Sequence, residues 1–399
     1  MAVLLGRRVP APLTAALSSV GVEVEQARIA QVTWRPGSSI TVRYQARLSG
    51  AVSGVHQVVA ASGRIPAGAL VVGDGESEVG VWRVPHDPAL PGLARALDPP
   101  SLAGLLSDLG LPAAGVETRL RAYRPGRRAV VEARSNGASI FLKLVPPAAA
   151  GGLHETHCEL STRLPVPRSL GFSSELGLVA LEALPGTTLR RALGDPAATL
   201  PSPDEVVSIG SHLPGSDRTV RSPLERFGGA VELLKLIVPE DAGVLDDLVD
   251  RLGTEARPAS TAVHGDLHEG QLLISDGRVR GVLDVDTHGI GREADDPATM
   301  IGHLSVLERS VGRSGRVAGY GSSLLACWDR LVDPVDLRLR AAAVVVGLAT
   351  GPFRVQQRDW PTETRSRIRL AARWAESAAA AHEKGLTTAS RPSHGHSSS

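Results

Sequence analysis

The stretch Val263-His264-Gly265-Asp266-Leu267-His268-Glu269-Gly270-Gln271-Leu272-Leu273, followed by Gly281-Val282-Leu283-Asp284-Val285-Asp286, decides how this chain is read. Two short apolar runs carry carboxylates at their ends. Between them, Ser275-Asp276-Gly277-Arg278 is an Asp-Gly signal that closes a β-hairpin. A turn there sets the strands side by side, so that Asp266, Gln271 and Asp284 converge on one edge. Oxygen ligands converging in this way suit a hard divalent cation such as Mg²⁺, which takes a few carboxylate or amide oxygens together with phosphate and water. That is the layout of a phosphoryl-transfer site. Asp266 is the candidate proton acceptor, because a carboxylate within reach of a hydroxyl orients it and takes its proton as transfer proceeds. His264 and His268 read as supports of the loop. Asp284 is the first candidate for the metal, with Asp286 sharing its face if the strand continues. Asp295-Asp296-Pro297 opens a helix, where acids favour the N-terminus.

The 399 residues suffice for two or three domains. A net charge of +1 gives no reason to expect nucleic acid as the main partner. Cys158 and Cys327 cannot build a disulfide framework and fit a reducing compartment. Arg7-Arg8 precedes a stretch too weakly apolar for an export signal, and the longest apolar run, Ala341 to Ala349, is far short of a membrane span. The expectation is a cytoplasmic protein without a membrane partner. Of 43 basic residues only three are lysine, Lys143, Lys235 and Lys384. A lysine amid apolar residues is therefore not filler. Lys143 lies among Ile140, Phe141, Leu142, Leu144 and Val145, and a buried ammonium needs an anion.

Taken in order, residues 1 to 100 read as short strands with little helix, and Asp87-Pro88-Ala89-Leu90-Pro91 as a linker. An echo follows. Trp34-Arg35-Pro36-Gly37-Ser38-Ser39-Ile40-Thr41-Val42 matches Tyr123-Arg124-Pro125-Gly126-Arg127-Arg128-Ala129-Val130-Val131 in pattern, 89 positions on. Arg-Pro-Gly is a good turn in any context, but the shared flanks favour an internal duplication. On that reading the first copy has Val58-Val59-Ala60 where the second has Leu142-Lys143-Leu144, and has lost the lysine. The second copy continues into a helix from about 152 to 163, with Glu155 and Glu159, and then a strand at 176–182. From Thr188 onward the apolar spacing is helical. Leu386 to Ser399 is Ser/Thr/His-rich and reads as disordered.

These residues resemble the aminoglycoside phosphotransferase and choline kinase-like family, relatives of the protein kinases. The match is His264-Gly265-Asp266-Leu267-His268 with Gln271, then Gly281-Val282-Leu283-Asp284 with Gly289-Ile290-Gly291 and Asp296. Phe141-Leu142-Lys143 adds to it, as does Leu178-Val179-Ala180-Leu181-Glu182 with Leu184-Pro185-Gly186, which looks like the family's hinge. The resemblance covers about residues 115 to 380. It implies an α+β, two-lobed protein-kinase-like fold, with a small antiparallel sheet and one helix in the N-lobe and a mostly helical C-lobe. It further implies ATP and Mg²⁺ as cofactors. ATP would lie between the lobes, on Lys143 paired with Glu155, with its adenine at the hinge of Ala180 and Glu182. Asp266 would be the base, and Asp284 with Gln271 the metal ligands. The partner would be a small-molecule hydroxyl acceptor, held by the helices of 188–260. The expected domains are a β-rich, duplicated-lobe-like cap over 1–100, an N-lobe over 101–186, a C-lobe over 187–385 and a tail over 386–399.

Two departures stand out. Gln271 replaces the family's usual asparagine, with the same amide oxygen on a longer stem. The phosphate-covering turn, Arg124-Pro125-Gly126-Arg127-Arg128, is not Gly-x-Gly-x-x-Gly. A nucleotide-binding regulatory module without turnover is the alternative these departures leave open. A metallohydrolase using His264, Asp266 and His268 as ligands is another, but it leaves Lys143 and the hinge unexplained.

Overall fold

The computed structural model describes residues 4–6, 9–73, 77–311 and 315–389. It divides into two compact units, Met1–Leu184 with Pro352–Trp360, and Pro185–Gly351 with Pro361–Ser399. The Arg7-Arg8 pair lies outside the described residues.

The first unit begins with helix α1 (Ala11–Ser18), which the sequence reading missed because its two prolines look like breakers. Pro10 sits at the cap and Pro12 in the first turn, where a missing N–H costs nothing. Strands β1 (Val22–Arg35), β2 (Ser39–Gly50), β3 (Gly54–Ser62), β4 (Leu70–Gly73) and β5 (Glu78–Arg83) form an antiparallel sheet in the order β1-β2-β3-β5-β4. Helices α2 (Gly92–Leu97) and α3 (Pro99–Asp108) follow. Then come β6 (Glu117–Arg124), β7 (Arg128–Ser135), β8 (Ala138–Leu144), helix α4 (Pro147–Leu160), β9 (Ser169–Ser173) and β10 (Leu178–Glu182). The second sheet runs β6-β7-β8-β10-β9, the same order as the first.

The Arg-Pro-Gly echo marks the same place in both sheets. In each, Pro occupies the second position of a four-residue turn and Gly the third, with φ of 69° at Gly37 and 66° at Gly126. Ser38 N bonds Arg35 O and Arg127 N bonds Arg124 O, both near 3 Å. These are the marks of a type II turn. The two sheets thus share their strand order, their turn and a preceding helix. The register corrects one detail. Thr41 faces Ala61 across β2 and β3, and Val130 faces Lys143 across β7 and β8. The position of Lys143 is therefore held by Ala61, not Val59, because the β2–β3 hairpin is longer than the β7–β8 hairpin.

One core joins the two sheets. Val59, Ala61 and Trp82 of the first, Leu93, Leu102 and Leu106 of α2 and α3, and Val131, Leu142, Leu144 and Ala180 of the second belong to a single buried cluster. The segment read as a linker is a packed corner. Asp87 is 2% exposed, and its carboxylate accepts from Tyr123 Oη at 2.7 Å, Gly126 N at 2.8 Å and Ala89 N at 2.9 Å. Asp, Pro and Leu in sequence suit either a loose connection or a buried turn, and only the partners distinguish them. Asp87→Ala would strand those donors in a dry corner and should destabilise the protein by about 2–3 kcal/mol. A melting curve checks this, with Asp87→Asn expected to lose less.

The second unit opens with β11 (Thr187–Thr188), α5 (Leu189–Leu193), α6 (Pro203–Ser208), α7 (Pro223–Ile237) and α8 (Ala242–Leu252). Ser222 and Glu225 close α7 with reciprocal side-chain bonds, a capping box. Four short strands follow, β12 (Thr261–Val263), β13 (Leu272–Ser275), β14 (Arg278–Val282) and β15 (Gly289–Gly291). Helices α9 (Asp295–Val311), α10 (Gly315–Trp328), α11 (Pro334–Ala349), α12 (Gly351–Arg354) and α13 (Trp360–Ala389) complete the chain, the end of α12 being counted with the first unit. The tail expected to be disordered from 386 is helical as far as Ala389, since extending an existing helix is cheap. Residues 390–399 lie outside the described residues. Among the described residues no helix is long and apolar enough to cross a membrane.

Candidate active site

In the second unit the hairpin forms as its sequence dictates. Asp276 and Gly277 both take positive φ, 53° and 68°, the twist a two-residue hairpin needs. β13 pairs with β14, Leu272 opposite Val282, and Leu283 N bonds Gln271 O at 2.8 Å. This brings the side chains of Gln271 and Asp284 together, with Gln271 Nε2 3.4 Å from Asp284 Oδ2. The strand ends at Val282. Asp284 is left-handed, with φ 58° and ψ 44°, and residues 285–287 form a 3-10 turn. Asp286 therefore does not share the face of Asp284, which corrects the expectation of a continuing strand. A left-handed aspartate costs about 1–2 kcal/mol, a strain that clusters at functional sites.

The loop from β12 is held from beneath. Asp296, at the start of α9, accepts from His264 N at 2.6 Å and Gly265 N at 2.9 Å, one backbone amide per carboxylate oxygen. Burial pushes the Asp296 carboxyl above its ordinary value, against the pull of these amides. Sequence reading took it for a helix-opening acid, but it also fixes the loop. The His264 ring is fully buried and used on both nitrogens. Nε2 lies 2.8 Å from Leu283 O, and Nδ1 accepts from Asp266 N at 3.3 Å. His264 is thus a neutral support with its proton on Nε2, and it has no lone pair left for a metal. That removes the ligand set the metallohydrolase reading required. Asp266 itself is half-buried.

His268 accepts from Gly270 N at 3.0 Å through Nδ1, which leaves its proton on Nε2, 3.3 Å from the Gln271 amide nitrogen. A half-turn of that amide exchanges its nitrogen and oxygen without changing its shape. The oxygen would then accept from His268 and lie beside the Asp284 carboxylate. Neighbouring ligand oxygens on Mg²⁺ are about 3 Å apart, from metal–oxygen distances of about 2.1 Å in an octahedron. The longer glutamine stem therefore fits the role of a metal ligand.

Three further residues complete this side, and the sequence reading singled out none of them in a functional role. His303 of α9 stacks on His268, with ring centroids 4.2 Å apart and planes 10° from parallel. Glu269 is fully buried, 3.3 Å from Arg190 Nε and 3.7 and 3.8 Å from the Nδ1 atoms of His268 and His303. Burial alone would raise the Glu269 carboxyl, but its neighbours His268, His303 and Arg190 outweigh it and hold it low. Asp266, His268 and His303 are a grouping within reach of one ion among the described residues. With both His268 nitrogens engaged, only Asp266 and His303 remain to offer ligands there.

Burial, and then the neighbouring His268, lower the His303 imidazole to about 4, with Arg190 and Arg367 adding to the effect and Glu269 opposing it. The folded protein thus keeps His303 neutral at pH values where the unfolded chain, near 6.5, takes a proton. Stability from this group rises with pH between about 4 and 6.5. His303→Gln should flatten the pH dependence of the melting temperature in that window.

In the first unit Lys143 is 5% exposed on β8, facing Val130 and Val179 on its two neighbours. Ala180 is fully buried in the core shared by the two sheets, on a strand paired on both sides. Glu182 is half-buried at the end of β10, and its N–H bonds Arg168 O at 3.0 Å. Glu155 and Glu159 are exposed on α4, whose buried face is Ala150, Leu153, His157 and Leu160. At the turn of 124–128, the Gly126 amide already serves Asp87.

The model of the APH family, described as the phosphotransferase enzyme family, matches residues 119–331. Among solved structures the chain is similar to the macrolide 2′-phosphotransferase MphH of Brachybacterium faecium. The two are 18% identical, the match covers 68% of this chain and 97% of that one, and the TM-score is 0.43. It is also similar to a thermostable mutant of aminoglycoside phosphotransferase APH(4)-Ia in a ternary complex with AMP-PNP and hygromycin B. There the identity is 13%, the coverage 68% and 96%, and the TM-score 0.47. Among curated proteins none matches.

Proposed function

The chain belongs to the APH phosphotransferase enzyme family, and we propose that it transfers the γ-phosphate of ATP, with Mg²⁺, to a hydroxyl of a small molecule such as a sugar, an aminoglycoside or an amino alcohol. The observation that carries this reading is the loop of Asp266. Both amides before it are fixed on Asp296, while its own carboxylate stays half-buried within reach of His268, whose ring meets Gln271, the partner of Asp284. A base held so firmly, on the loop that leads into an oxygen pair that fits a divalent cation, suits phosphoryl transfer, where positioning and charge do most of the catalysis.

Asp266 orients the acceptor hydroxyl and takes its proton as the new O–P bond forms. The rigid backbone on either side of Gly265 keeps that carboxylate aimed without a reorganisation cost at the moment of reaction. Asp284 and Gln271 would hold Mg²⁺, and His268 fixes the amide of Gln271 so that its oxygen faces the same way. When bound, the cation neutralises charge on the phosphates. Lys143, assisted by Glu155, holds the nucleotide phosphates, and the hinge near Glu182 receives its base. In residues 188–260 acidic side chains outnumber basic ones, which favours a cationic acceptor. With Cys158 and Cys327 both unpaired, the cytoplasm is the proposed compartment.

A coupled ADP-release screen over sugars, aminoglycosides and amino alcohols tests this. An acceptor should raise ADP release well above background, and Lys143→Ala or Asp284→Ala should abolish the increase. A chain that binds Mg²⁺·ATP and turns over no acceptor would be a regulatory nucleotide-binding module instead. A wild-type turnover that survives loss of Lys143 would point to hydrolysis.

A further inference from the structure

In the first sheet Ala61, the counterpart of Lys143, is buried in the shared core, but beside its partner Thr41 the same face is open. A cavity of about 380 Å³ opens there, entirely within the first unit. Five arginines line it: Arg35 and Arg64 from the first sheet, Arg124 and Arg127 from the turn of the second, and Arg354. No carboxylate lines it among the described residues. Burial, together with the neighbouring charges of Arg35, Arg128 and Arg64, pulls the Arg127 guanidinium below its ordinary value. A concentration of like charge in a concave site is costly unless an anion completes it.

The floor of the cavity is of another kind. Gln31, Thr33, Ser39 and Thr41 point onto it from β1 and β2, with Trp82 and Ile65 to one side. Their counterparts in the second sheet are largely apolar, Val130 standing where Thr41 stands in the first. Hydroxyl and amide groups in a row bind the hydroxyls of a polyol, while the guanidinium forks match the oxygens of a phosphate. A volume of this size takes a small metabolite.

We propose that this cavity is a binding site for a small phosphorylated polyol of sugar-phosphate type, with its phosphate on the arginines and its hydroxyls on the polar floor of the first sheet. The site adjoins the turn of 124–127, so occupancy would brace that turn from the side of the duplicated sheet.

Calorimetric titration of the full chain with glucose 6-phosphate and with inorganic phosphate, without nucleotide, tests the proposal. Wild type should bind both, the sugar phosphate more tightly. Arg35→Ser/Arg64→Ser, two exposed positions, should weaken both by about ten- to a hundredfold, the loss expected for charged hydrogen bonds. Its melting temperature without ligand should equal or exceed that of wild type, because repulsion is relieved. Lys143→Met should leave both affinities unchanged, which separates this site from the proposed nucleotide site. Thr41→Val should weaken the sugar phosphate alone. The proposal is overturned if wild type binds neither probe, if the double variant binds as wild type does, or if Lys143→Met removes the binding.

Discussion

Asp266→Asn should lower kcat by about 10²–10⁴-fold, the usual contribution of a positioned general base. The substitution keeps the shape of the side chain and removes its ability to accept a proton. The scaffold below it is untouched, since the bonds that fix the loop run from the amides of His264 and Gly265 to Asp296. Melting temperature and nucleotide affinity should therefore stay at wild-type values while turnover falls. Steady-state kinetics with the acceptor found by ADP release, alongside a nucleotide titration, checks both halves. An Asp266→Asn protein with wild-type kcat would remove the residue from the proton's path.

Arg340→Met should destabilise the protein by about 3–5 kcal/mol, the cost of leaving buried carboxylates unpaired. Arg340 is fully buried on α11 and meets three acids. It makes a two-pronged contact with Glu255 at 2.7 and 3.1 Å, and single contacts with Asp295 at 2.8 Å and Asp336 at 3.0 Å. Set against typical stabilities of about 5–15 kcal/mol, that loss is large. It should also reach the chemistry, because Asp295 adjoins the aspartate that fixes the base loop. Urea denaturation reads the first effect and kcat the second, and Arg340→Lys should fall between, keeping the charge without the fork.

The acid limb gives this prediction a second readout. Burial would raise Glu255, but the Arg340 bond and the Arg257 amide reverse that and hold it at about 2, below the ordinary 4.5. Its contribution is complete above about 4.5 and disappears as pH falls toward 2. The stability gap between wild type and Arg340→Met should narrow over that range.

The hairpin that pairs Gln271 with Asp284 was legible in the sequence because its determinants are local. Asp276-Gly277 sets the turn, the turn sets the register, and the register places Gln271 beside Asp284. The repeated Arg-Pro-Gly turn was legible for the same reason. What escaped was long-range. Glu255, Asp295, Asp336 and Arg340 are spread over 85 positions, and each alone reads as a solvated charge. One signal was available, since Arg340 occupies an apolar stripe with Leu337 and Ala341. Glu269 and His303 escaped likewise, because only the packing of α9 brings them together. Asp87 was misread because turn residues look alike whether a corner is buried or bare.

The shared core of the two sheets bears on where this chain could be cut. The family match begins at residue 119. Yet Val131, Leu142, Leu144 and Ala180, all within that match, are buried in one cluster with residues of α2, α3 and the first sheet. A chain cut at the start of the match would bare that apolar face to water. The residues before 119 are thus a structural half of the first unit rather than an appendage to it.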